Sequence, residues 1–275
     1  MNNKVICNYR NLRPSLFYLP LLILISISLL LYIQDALNIH SYTQIQKDYF
    51  FFLNSKLSQL PSTQHNLTQL GDALIFFSFL TFFIVYAPRV WETLITASLV
   101  SLIFSCLLKK IFAVPRPAAV FDNNGFVIIG EKLSGHNSFP SGHSITVFTT
   151  LTVLMFAFIP KGMKYKCLWC VVAVFIGLVL VLTRIGVGAH HPLDVIVGSV
   201  IGYISGLLGI FINQKYSIWA WINNKKFYPV FIVLFSVCCF LLVNKIINHN
   251  LTIFYLSLAS LAASLYIITN AYIKK

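Results

Sequence analysis

Charge is what this chain has least of. Asp, Glu, Lys and Arg together make up 10% of its 275 residues, and only seven residues are acidic. Soluble domains carry about 25% charged residues, so this composition excludes a surface that faces water throughout. Hydrophobic residues reach 58%, aromatics 15%, and the mean hydropathy is +0.81. Lipid must therefore cover much of the exterior. No polar linker divides the chain, which reads as one continuous membrane domain. No internal repeat and no low-complexity stretch is evident.

The six cysteines (Cys7, Cys106, Cys167, Cys170, Cys238 and Cys239) lack the company that metal or disulfide chemistry needs. Cys167 and Cys170 make one C-x-x-C, but no second pair or histidine stands at zinc spacing. Most of the six fall in apolar runs, where Cys behaves as a small buried hydrophobe. Neither a metal site nor a cofactor is implied. The net charge of +13 would suit nucleic acid if it were clustered. Here the cations are scattered through short loops between apolar runs, as the positive-inside rule and anionic headgroups demand, so nucleic acid is not expected as a partner. A cleavable signal is not expected either. The run from about Leu16 to Ile33 is long for a signal peptide, and no A-x-A-like site follows it.

Apolar runs are what the chain has in quantity. Stretches long enough to cross hydrocarbon as helices occur at roughly 15–34, 71–88, 91–108, 144–160, 167–184, 194–213, 228–245 and 251–271. This predicts an all-α transmembrane bundle of about eight spans, with spans two and three forming a tight hairpin around Pro88. With the N-terminus cytoplasmic, twelve Lys and Arg lie inside and eight outside. Three of the eight (Lys109, Arg116 and Arg184) stand in chemical motifs, so the remaining bias supports that topology. The polar stretch 35–70, with its cluster Tyr49-Phe50-Phe51-Phe52, is read as an interfacial anchor rather than a lid.

Three polar islands break the membrane pattern. They are Lys109 to Pro117 at the end of span three, Phe139 to Ser144 at the start of span four, and Thr183 to Asp194 between spans five and six. An ionisable group at the centre of a bilayer costs about 2.5–3.5 kcal/mol and usually serves function. The derived topology puts all three islands on one outer face. Arg116, Arg184 and Lys109 offer fixed positive charge suited to phosphate oxygens. Pro140-Ser141-Gly142 ahead of a helix makes a sharp turn with exposed amides that attract anions. Pro192 suits a first helical turn, so the Asp194 carboxylate can fold back on a neighbouring imidazole, fixing its tautomer and raising its basicity. His190 or His191 could be that imidazole, a nucleophile, with His143 as general acid.

At these residues the chain resembles the type 2 phosphatidic acid phosphatase (PAP2) superfamily, which also includes vanadium haloperoxidases. Lys109, Arg116 and Pro117 fit K-x6-R-P, and Pro140 to His143 fit P-S-G-H. Arg184, His190 and Asp194 fit S-R-x5-H-x3-D, with Thr183 where Ser is usual. The resemblance covers about 66–213. It selects His190 over His191 and implies a phosphohistidine formed on His190, with Asp194 orienting that ring and His143 protonating the leaving group. Lys109, Arg116, Arg184, Ser141 and the Gly142 amide would bind phosphate, with no metal or cofactor. The implied domain organisation is a six-helix core over 1–213 and a C-terminal transmembrane hairpin over 214–275. The expected activity is lipid phosphate hydrolysis, with lipid A, undecaprenyl diphosphate, phosphatidylglycerophosphate or phosphatidate as the substrate partner in the bilayer. Phosphotransfer to a lipid hydroxyl is the alternative, and transport of phosphorylated solutes a lesser one. A bacterial inner membrane, with the site facing the periplasm or exterior, is the expected location.

Overall fold

The computed structural model describes residues 1–274. Every regular element among them is helical. The chain opens with α1 (Asn2–Arg10) and α2 (Tyr18–Ile33). Three shorter helices follow: α3 (Ile39–Ile45), α4 (Lys47–Leu57) and α5 (Pro61–Thr68). Then come α6 (Ala73–Ser78), α7 (Phe83–Tyr86), α8 (Pro88–Phe112) and the single turn α9 (Pro117–Val120). The later helices are α10 (Gly142–Ala157), α11 (Met163–Gly186), α12 (Pro192–Tyr216), α13 (Tyr228–His249) and α14 (Thr252–Ile273). Six helices are long and apolar enough to cross a membrane, and α10 is a shorter apolar one.

Local sequence explains the boundaries. Proline occupies the first turn of α5, α8 and α12, where its missing N–H costs nothing. Ser141 caps α10 and Asp72 caps α6 through side-chain oxygens that accept from Ser144 N and Leu74 N. α8, α12 and α13 end on left-handed residues, Ala113, Ser217 and Asn250, which turn the chain sharply out of the helix.

The expected continuous span 71–88 is broken. The chain leaves helical geometry between Ser78 and Phe83, and the freed carbonyls find partners elsewhere. The Trp91 indole donates to the Leu80 carbonyl at 2.7 Å, and Ser260 Oγ of α14 donates to the Ser78 carbonyl at 3.1 Å. Thr81 Oγ1 donates to the Ser78 carbonyl and shares a hydrogen bond with Ser264 Oγ, whose hydroxyl can supply the proton. Irregular backbone survives beside lipid only when protein satisfies it in this way. The hydropathy of 71–88 contains no trace of a partner nearly two hundred residues away.

α12 is the central helix and packs most extensively on α10 and then α8. Gly198, Gly202 and Gly206 form a stripe of small residues against α10. A Cβ on Gly202 would meet the Ile145 carbonyl at 2.5 Å, and one on Gly198 would meet the Ser141 carbonyl at 2.7 Å. Without a hydrophobic drive between helices in lipid, such close backbone approach supplies the packing energy. It also sets the Ser141 turn against the start of α12. The polar end opposite the islands is tied by Arg89, whose guanidinium pairs with buried Glu92 at 2.6 Å and donates to the Asn213 carbonyl. Gly202→Val is expected to destabilise the protein by about 1–3 kcal/mol through overpacking, seen as a lower melting temperature in detergent.

Candidate active site

The ends of α8, α11 and α12 and the loop before α10 bring the three islands together. Asp194 is fully buried in the first turn of α12. Its Oδ2 accepts from the His191 amide at 3.0 Å and from Ser138 Oγ at 2.5 Å, and lies 3.6 Å from His190 Nδ1. Its Oδ1 accepts from Tyr42 Oη at 2.8 Å. Ser138 Oγ is also 3.3 Å from His190 Nδ1. On the other side of the ring, Nε2 is 3.3 Å from Arg116 Nη1. These partners assign the neutral tautomer with its proton on Nδ1, which leaves the Nε2 lone pair facing a guanidinium.

Burial, opposed by the nearby Asp194 carboxylate, pushes the His190 pKa down to about 3, so the imidazole is neutral at any physiological pH. Burial next to the Asp194 charge raises Tyr42 well above the ordinary phenol range, which keeps its proton available for donation. His191 turns away from Arg116. Its Nε2 lies 3.1 Å from the Pro115 carbonyl and its ring packs against Phe50 and Phe121.

The cations converge with no direct ion pair among the described residues, and Asp194 acts on Arg116 and Lys109 only at longer range. Arg116 and Arg184 are only 8% and 6% exposed, yet among the described residues neither forms a salt bridge. Arg116 donates through Nε to Asn137 and through Nη1 to the Ala189 carbonyl. Arg184 Nη1 donates to Thr68 at 2.7 Å, and its Nε is buried with no partner. Lys109 sits in the last turn of α8, with Nζ 3.5 Å from where a Cβ on Gly142 would lie. Arg184, His190, Arg116 and Lys109 all lie within electrostatic range of His143. The His143 ring stacks on Gly71, where a Cβ would stand 2.5 Å away. A buried guanidinium lacking an anion is costly, and a phosphate is the group whose oxygens match this set.

Ser141 is more committed than the sequence suggested. Its amide donates to the Asp194 carbonyl at 3.0 Å and its Oγ caps α10, so only its hydroxyl proton is left for a ligand. Thr183 Oγ1 donates along its own helix to the Leu180 carbonyl. The segment 35–70 is not merely an interfacial anchor. Besides Tyr42 and Thr68, it supplies Gln46, whose Oε1 accepts from the Leu193 amide at 2.7 Å. Asn54 Nδ2 donates to the carbonyls of Val127, Ile185 and Gly186. Tyr42, Ser138 and Thr68 carry no local signature, because a lone hydroxyl in a polar stretch resembles any other.

The PAP2 superfamily model matches residues 89–218, a stretch that contains all three islands. Residues 89–218 belong to the PAP2 superfamily. Among its relatives, the chain is 26% identical over 183 residues to the bacitracin transport permease protein BcrC of Bacillus licheniformis, covering 64% of this chain and 85% of that protein. It is 33% identical over 123 residues to lipid A 1-phosphatase of Rhizobium etli, covering 43% of this chain and 48% of that protein. It thus spans about half the length of that phosphatase. The crystal structure of Aquifex aeolicus LpxE aligns with a TM-score of 0.51 at 27% identity, covering 60% of this chain and 93% of that one. These PAP2 relatives support phosphatase activity in an integral membrane protein. The superfamily match stops short of α13 and α14.

Ser138→Ala removes a hydroxyl that bonds Asp194 and approaches His190. It is expected to lower kcat by about ten- to a hundredfold, the usual cost of losing a group that orients a reacting residue. Phosphate release per folded molecule, with the folded fraction fixed by thermal melting in detergent, checks this.

Proposed function

We propose that this protein is a lipid phosphatase that works through a phosphohistidine on His190. The observation that carries the reading is the convergence of Arg116, Arg184 and Lys109, cations with no direct ion pair among the described residues, around a neutral imidazole whose Nε2 lone pair faces the Arg116 guanidinium. His190 Nε2 attacks phosphorus while Asp194 holds the Nδ1 proton and stabilises the positive ring as it forms. His143 protonates the departing oxygen. The two guanidiniums, the Lys109 ammonium, the Ser141 hydroxyl and the Gly142 amide take up charge on the equatorial oxygens. Water then attacks the phosphohistidine and releases inorganic phosphate. Because the site lies at helix ends, a headgroup can enter from the aqueous side while its chains stay in lipid.

We read the site as facing the outer side of a bacterial inner membrane, which rests on the distribution of Lys and Arg. We also read 1–213 as the catalytic core and 214–275 as an added hairpin. The relatives' names leave lipid A and other envelope lipid phosphates as the substrate classes to test. A transporter would place its charges near the midplane on broken helices, whereas these charges cluster at helix termini.

Purified full-length protein should release phosphate from a lipid phosphate in the presence of EDTA. Quenching in alkaline detergent with labelled substrate should reveal an adduct stable to base and labile to acid. His190→Ala should remove the adduct and lower turnover by at least about 10³-fold. Full turnover in that variant would reject the nucleophile.

A further inference from the structure

A cavity of about 560 Å³ opens beside the candidate site, lined by that site's His143 and Arg184 and also by Asp72, Glu131, Lys245 and His249. Its volume falls within the roughly 300–1,000 Å³ of small-molecule sites, far more than one phosphate needs. His190 and Asp194 do not line it. An in-line displacement places the departing oxygen opposite the attacking nitrogen. With His190 as nucleophile and His143 as acid, the cavity on the His143 side receives the leaving group. This step rests on the mechanism proposed above.

The charge of the remaining lining says what that leaving group is. With Arg184 taken up by the scissile phosphate, the fixed charges left are two carboxylates, Asp72 and Glu131, against one ammonium, Lys245. Lys245 Nζ is already held by Asp72 Oδ2 at 2.9 Å. Burial and the facing His249 push His65, also on the wall, below the ordinary histidine range, so it adds no positive charge at neutral pH. With Arg184 so engaged, a second phosphate next to the scissile one would meet a lining of net negative charge whose one remaining ammonium is already paired. Hydroxyl groups meet what they need there, because carboxylates accept from them while ammonium and imidazole donate to them.

Lys245 and His249 lie on α13, beyond the superfamily match at 89–218. The C-terminal hairpin thus reaches the substrate cavity from outside the shared core. We propose that this wall, with Lys245 and His249 contributed by the hairpin, is a specificity element that selects a hydroxyl-bearing leaving group, such as a glycosyl or glyceryl lipid, and disfavours a diphosphate.

The test uses the full-length protein in detergent with three substrates: a lipid-linked glycosyl 1-phosphate, a diacylglycerol phosphate and a prenyl diphosphate. The wild type should favour the first two over the diphosphate by about tenfold or more in kcat/KM, the scale of a like-charge mismatch in a binding site. The double variant Asp72→Asn/Glu131→Gln turns the wall net positive. Asn still caps α6, since it is as good an N-cap as Asp. This variant should raise kcat/KM on the diphosphate by about tenfold relative to the other two. Lys245→Met should move the ratio the opposite way. A wild-type preference for the diphosphate overturns the inference while leaving the phosphatase reading intact. So do variants that shift all three substrates together, as loss of a purely structural ion pair would. Release of phosphate from none of the three sinks the phosphatase reading itself, and this inference with it.

Discussion

The Asp194 carboxylate is fully buried, and protein groups meet its hydrogen-bonding needs. Tyr42 and Ser138 donate hydroxyls, the His191 amide donates from the start of the same helix, and the His190 ring approaches through Nδ1. These partners come from α3, the loop before α10 and the turn into α12, so satisfying one buried charge fixes three separate segments. An unpaired carboxylate at this depth would cost several kcal/mol, and its network is correspondingly strict. The orientation of His190 follows from it.

That network holds only because the backbone brings its members close. The glycines of α12 let α10 approach until carbonyl oxygens stand where Cβ atoms would otherwise be. The Ser141 amide then reaches the Asp194 carbonyl. Helix packing and the site are therefore one construction. A change at the glycine stripe is felt as a shift of the Ser141–His143 turn, several residues from any ligand.

The C-terminal hairpin joins this construction from outside the superfamily match. Ser260 and Ser264 of α14 bond the broken segment 78–83, and Lys245 of α13 holds Asp72 at the start of α6. Gly71, on which His143 rests, is the residue before Asp72. The hairpin consequently supports the bed of His143 and walls the cavity beside it, two tasks that bear on the same step of a reaction.

The amino-acid sequence alone determined the solvent, the helical class and the candidate site residues. Low charge and long apolar runs leave helices in lipid as the answer, and ionisable residues are expensive enough there that Lys109, Arg116, Arg184, His143, His190 and Asp194 stood out jointly, as three islands on one face. Tertiary structure decided the rest, because what remained depends on partners distant in the chain. Tyr42, Thr68 and Ser138 are ordinary polar residues until folding aims them at Asp194 and Arg184. The run 71–88 is hydropathic enough to be a helix, and it breaks because Trp91 and α14 satisfy the carbonyls it releases. Hydropathy records the cost of leaving water and is a local property. Hydrogen-bond satisfaction belongs to pairs of residues, and only the folded chain forms those pairs.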